Sequence, residues 1–230
     1  MSPSTRTKYP RTPHLAWSPG SDDDDIPIAA GATLLESDDV VVTLKMDGEN
    51  TTVYPDGTCH ARSVDSSSHP SRTWMRAHAA RLGAQLPERW RACGENLYAV
   101  HSIRYDTLED WFYLFSLWDG TRRGGSTGYA DGADGGIALD WDTTCEWAAL
   151  LEVPTVAVIY RGRFDRDAIH AAFAPHAGRH EGYVVRTAAE IPAELFADRC
   201  AKWVRAQHVQ TDEHWLDRPV EVNGLTTERA

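Results

Sequence analysis

The chain predicts an α+β fold of largely antiparallel sheets flanked by helices. Short β-branched and aromatic runs recur along its whole length, and Pro, Asp and Gly punctuate several of them. The helical stretches fall between these runs irregularly, without the regular βα alternation of a doubly wound parallel sheet.

The elements follow in order. The first 25 residues are rich in Pro, Ser and Asp and contain Tyr9-Pro10-Arg11-Thr12-Pro13, so they predict an extended arm, because a residue before proline avoids the helical region. Residues 40–44 read as a buried strand and 51–54 as its partner. Pro55-Asp56-Gly57 is a turn into a third strand over 58–64. Residues 73–86 predict a helix, with Pro87 as its terminator. Two strands at 96–104 and 111–118 are joined by a polar turn, and the glycine- and aspartate-rich stretch 124–136 reads as a loop. A helix at 143–151, a strand at 155–160, a helix at 166–173 and strands at 183–187 and 200–206 complete the order. The expected organisation is an arm over 1–25, one catalytic domain over 26–210 and a tail over 211–230 with no separate C-terminal domain.

A length of 230 residues fits one large domain with a substantial core. No apolar stretch approaches the roughly 18 residues that span a bilayer, and no signal-peptide segment opens the chain, so no membrane partner is expected. Cys59, Cys93, Cys145 and Cys200 form no CxxC pair, which argues against a zinc ribbon and for a reducing, cytoplasmic setting. The ten histidines show no HExxH-like spacing. A net charge of −11 weighs against nucleic-acid binding, where phosphate contacts dominate affinity. Part of it lies in Asp22-Asp23-Asp24-Asp25, a run that reads as a solvated loop. Arg72, Arg76, Arg81, Arg89 and Arg91 crowd one segment and offer a local basic face.

Lys45 is one of three lysines, against twenty arginines, and it ends an apolar β-branched run before Met46-Asp47-Gly48-Glu49-Asn50. Arginine supplies permanent charge but is never deprotonated, so it cannot act as a nitrogen nucleophile; a lysine in this place suggests covalent chemistry.

Lys45-Met46-Asp47-Gly48 resembles the Lys-x-Asp-Gly motif of the covalent nucleotidyltransferases, which comprise RNA ligases, DNA ligases and mRNA capping enzymes. His60-Ala61-Arg62-Ser63, Gly94-Glu95-Asn96, Phe112-Tyr113-Leu114-Phe115-Ser116, Glu181-Gly182-Tyr183-Val184-Val185-Arg186 and Ala201-Lys202-Trp203-Val204-Arg205 are similar to further motifs of that superfamily, in family order. The set looks closest to the ATP-dependent RNA ligases, in particular the T4 RNA ligase 2-like adenylyltransferase domain.

The resemblance implies an ATP-grasp-like nucleotidyltransferase fold with nucleotide in a cleft between sheets. Lys45 would attack the α-phosphate of ATP to give lysyl–AMP, assisted by Lys202. Leu44, Asp47, Gly48, Arg62, Glu95, Phe115, Glu181 and Lys202 would bind nucleotide, with Arg62 on the nucleotide and the end to be joined, Glu95 on ribose, Phe115 against the purine and Lys202 on phosphate. Glu181 and Glu95 would hold Mg²⁺ or Mn²⁺, for which hard oxygen ligands are suited. The expected substrate is RNA with 5′-phosphate and 3′-hydroxyl ends, with an end-processing or RNA-binding protein as a candidate partner. Arg72, Arg76, Arg81 and Arg205 are candidate RNA contacts. The fifth motif departs from the family, because Cys200 and Val204 stand where a second lysine is usual.

Other readings stay open. A small DNA ligase or another nucleotidyl transferase would use the same lysine, and an RNA-end-binding module would keep the pocket without turnover. Asp47 has a plain alternative as a turn residue holding local backbone N–H groups. His14, in the arm, has an alternative reach toward the nucleotide.

Overall fold

The computed structural model describes residues 6–22, 24–66, 69–122, 135–206 and 219–226. Most of the predicted loop at 124–136, the last four residues of the expected domain (207–210), and 211–218 and 227–230 of the expected tail lie outside these residues. The described strands form two antiparallel sheets. The smaller contains β1 (Val40–Lys45), β7 (Val158–Gly162), β8 (Gly182–Thr187) and β10 (Cys200–Val204), in the order β10-β8-β1-β7. The larger contains β2 (Glu49–Val53), β3 (Cys59–His60), β4 (Trp90–Asn96), β5 (Phe112–Asp119), β6 (Ile137–Ala138) and β9 (Ile191–Pro192), in the order β3-β2-β4-β5-β6-β9.

The period of two along β1 assigns its two faces. Val40, Val42 and Leu44 join Tyr183, Val185, Ala201 and Trp203 in a core closed by Ile169 and Phe173 of helix α3 (Arg166–Phe173). Val41 faces the other way, into a cluster with Met46, Tyr113, Trp141 and Val156 between the sheets. The outer face of the larger sheet is covered by α1 (Thr73–Gly83) and α2 (Trp141–Leu150), through Met75, Ala79, Leu82 and Ala148. Asp165 caps α3 by accepting from Asp167 N at 3.0 Å and Ala168 N at 2.9 Å, and Asp140 caps α2 by accepting from Thr143 N at 2.8 Å.

One expected strand is misplaced. The strand expected over 96–104 is instead β4 at 90–96, and residues 97–104 leave the sheet. The departing segment is held by side chains: Asp47 Oδ2 accepts from Ser102 N and Ile103 N, and the buried Asn223 donates to Leu97 O and accepts from Tyr105 N. The third strand is only two residues long, not the run over 58–64.

Among its described residues the arm contains no helix, and it lies along β10. Lys202 N donates to Pro13 O and Leu15 N donates to Lys202 O, both at 2.8 Å. Arg6, at the start of the described arm, pairs with Asp56. Among the described residues no helix is long and apolar enough to cross a membrane.

Candidate active site

Met46-Asp47-Gly48 is the turn by which the chain leaves the smaller sheet and enters the larger, and the predicted functional side chains gather around it. Lys45 closes β1 opposite Gly182 of β8. Strand parity turns Lys45 away from α3 and into the cleft between the sheets, where Nζ donates to Oε1 of Glu181. Glu181 is buried, whereas Lys45 is 28 % exposed, open on the cleft side.

Gly48 is required by proximity. A Cβ there would sit 2.6 Å from Asn96 O and 2.7 Å from Leu97 Cδ2, so any side chain would force β2 away from the end of β4. That close passage lets Gly48 N donate to Glu95 Oε1 at 3.2 Å. Burial pushes the Glu95 carboxyl up to about 7; Lys45 and the Gly48 N–H oppose the rise, and Asp47 and Glu49 add to it.

The cleft encloses about 680 Å³, a size suited to a nucleotide, and its walls include Lys45, Gly48, Arg62, Glu95, Phe115 and Lys202. Lys202 points inward because Ala201 and Trp203, its neighbours on β10, take the α3 side. Burial lowers the Lys202 pKa; Asp25 opposes this, and Lys45 and Arg62 reinforce it. Lys45, Arg62 and Lys202 thus share one field in the cleft. Phe115 meets the ring of Tyr9 edge-on at 5.2 Å, and Tyr9 packs also against Phe196 at 5.3 Å.

Some predicted residues stand elsewhere. The Asp47 carboxylate is turned to the 102–103 backbone, its backbone N–H donating to Tyr105 Oη at 3.0 Å, so it stitches a loop beside the cleft. The Leu44 side chain belongs to the core beneath α3, although the residue borders the cleft. Arg72 makes a two-pronged ion pair with Glu49, its Nε lying 2.9 and 2.7 Å from the two carboxylate oxygens. Arg76 is exposed on α1, Arg81 donates to Leu151 O at 3.3 Å, and Arg205 donates to His180 O at 3.1 Å. Arg72 also borders the cleft. Among the described residues no three His, Cys, Asp or Glu side chains converge as a metal cage.

Sequence reasoning missed Tyr9, Asp25 and Glu49. Glu49 sits next to the lysine motif and could have been found from that position; Tyr9 and Asp25 come from the arm and carried no local signal.

A two-sheet fold with a lysine-centred cleft at the sheet crossing is that of the nucleotidyltransferase ligases. The RNA ligase family pattern matches residues 38–204, and the chain belongs to that family. Among solved structures it resembles an archaeal ATP-dependent RNA ligase in two forms. Form 1 is 17% identical with a TM-score of 0.54, covering 87% of this chain and 49% of that one. Form 2 is 16% identical with a TM-score of 0.50 and the same coverages, 87% and 49%. A mutant of the Naegleria gruberi RNA ligase with ATP and Mn is 15% identical with a TM-score of 0.47, over 76% of this chain and 52% of that one. The chain spans about half the length of these proteins, and the likeness to the archaeal ligase is one of fold. No curated protein sequence matches it.

Proposed function

We propose that this protein is an ATP-dependent RNA ligase that seals 5′-phosphate and 3′-hydroxyl ends through lysyl–AMP on Lys45. The observation that carries the reading is the placement of Lys45 Nζ on Glu181, in a cleft it shares with Arg62, Glu95, Phe115 and Lys202. Nζ, once relieved of a proton, attacks the α-phosphorus; the N–P bond forms and the bond to pyrophosphate breaks. Lys202 and Arg62 supply fixed positive charge where the oxyanions develop, and Phe115 offers a face for the purine. AMP then passes from Lys45 to the 5′-phosphate of RNA, and a 3′-hydroxyl displaces it as the phosphodiester forms.

Glu95 and Glu181 are the hard oxygen donors that would hold Mg²⁺ or Mn²⁺. Two carboxylates without a full cage suit an ion that keeps water and phosphate oxygens in its remaining positions. When bound, such an ion neutralises charge on the leaving pyrophosphate.

Incubation with ATP and Mg²⁺, followed by intact-mass measurement, tests the reading. The protein should gain one AMP, acid-labile and absent in Lys45→Ala. Lys45→Arg should also abolish the adduct although charge is kept, since arginine cannot attack. Label that survives Lys45→Ala would reject the covalent mechanism. Parallel assays with GTP and with nicked RNA against nicked DNA test base and polymer. Cys200 and Val204, in place of a second lysine, favour a second reading as an RNA-end-binding module, and wild-type protein that never labels yet binds 5′-phosphate RNA would establish it.

A further inference from the structure

Lys202 is held from behind by the N-terminal arm. Its Nζ lies 3.5 Å from Oδ1 of Asp25, and the other oxygen of Asp25 lies 3.0 Å from Nε2 of His14. His14 is bridged directly to Lys202 by the backbone pairing between arm and β10. Its ring is buried, at 3 % exposure, and Nδ1 lies 2.8 Å from Ser18 Oγ. Ser18 Oγ in turn accepts from Val204 N at 2.9 Å, and its own proton has two acceptors in reach, Val204 O at 3.3 Å and His14 Nδ1. When Nδ1 takes the Ser18 proton, a neutral imidazole carries its own on Nε2, on the Asp25 side. Burial, with Lys202 adding to it, holds His14 below the ordinary imidazole range and favours that neutral form. Nε2 has no aligned hydrogen-bond partner, so its contact to Asp25 is electrostatic and adjustable.

Asp25 is the one described member of the acidic run that turns inward; Asp22 and Asp24 are exposed. Burial would raise its pKa, but the Asp22 backbone, Lys202 and His14 outweigh that and keep it below the usual carboxylate range. The run is therefore not uniformly a solvated loop.

We propose that Asp25, backed by His14, is a positioning residue that holds the Lys202 ammonium at the phosphate end of the cleft. The inference rests on the reading of Lys202 as a phosphate contact. It answers the gap in the fifth motif: the flanking positions on the Lys202 face of β10 are Cys200 and Val204, so no second lysine shares the task. A single long side chain must be both charged and ordered to replace a pair, and a carboxylate beside it supplies both conditions.

Single-turnover formation of the AMP adduct, with ATP varied, tests this on the full chain. Asp25→Asn is expected to lower the maximal rate at least tenfold with unfolding midpoint little changed, and Asp25→Glu to recover part of it. In a Lys202→Ala background, Asp25→Asn should have no further effect, which a general structural role would not produce. His14→Gln should fall between wild type and Asp25→Asn. A wild-type rate in Asp25→Asn, or full multiplication of its effect with that of Lys202→Ala, overturns the inference while the ligase reading stands. Wild-type protein that never labels overturns the ligase reading and, with it, this inference.

Discussion

Lys45 Nζ donates to Glu181 Oε1 across the junction between β1 and the residue that leads into β8. An ammonium engaged this way has no lone pair to offer, so under the proposed mechanism the pair would be loosened before attack. The pairing also aims Nζ. Glu181 is buried and its position is fixed by Arg205 N, which donates to Glu181 O at 2.9 Å.

Glu181→Gln should therefore leave the fold intact while slowing AMP-adduct formation at least tenfold, about 1.4 kcal/mol of barrier. The glutamine keeps the shape but loses the charge that orders Lys45 and could hold a cation. Single-turnover labelling reads the rate, and an unchanged rate would remove Glu181 from the chemistry.

Glu95 makes stability depend on pH in a predictable direction. Its carboxyl is pushed from 4.5 to about 7, chiefly by burial, so the folded protein binds a proton there that the unfolded chain has released. Stability tied to this proton is complete below about 4.5 and is lost as pH rises through about 7. Glu95→Gln cannot titrate. Relative to wild type it should gain stability between these pH values, by an amount on the order of 1–3 kcal/mol. Urea unfolding of both proteins at pH 4.5, 6 and 8 measures it, and parallel curves would mean that Glu95 is solvated in the folded state.

How far the sequence speaks depends on where a side chain finds its partners. Helix α3 was legible to the residue because Asp165, Ile169 and Phe173 carry cap and core within one local pattern. Strand β4 was not, because Arg91 reads as a surface charge, whereas it lies under the ring of Trp118 at 4.4 Å and donates to Gly135 O at 2.7 Å. The stretch after β4 has strand-like composition, yet Asp47 and Asn223, far away in sequence, hold it as a loop. The site follows the same division. Ordered motifs led to Lys45, Arg62, Glu95, Phe115 and Lys202, which line one cleft, and to Glu181, which holds Lys45 there. His14 and Asp25 reach Lys202 only by tertiary packing of an arm whose composition reads as solvated.

The pair of Arg72 and Glu49 carries the last prediction. Arg72, a candidate RNA contact, ties the turn before α1 to the first residue of β2 through both carboxylate oxygens of Glu49. The side chains are only 13% and 10% exposed, so removing one leaves the other charged and poorly solvated. Arg72→Met should cost about 2 kcal/mol of unfolding free energy, below the range for fully buried pairs because some solvent remains. Glu49→Gln in the same chain should restore part of that loss, since the orphaned carboxylate is then gone. A double-mutant cycle by urea denaturation gives the coupling. Additive losses would mean that the two groups do not act as a pair, and would return Arg72 to the surface as a candidate contact for RNA phosphate.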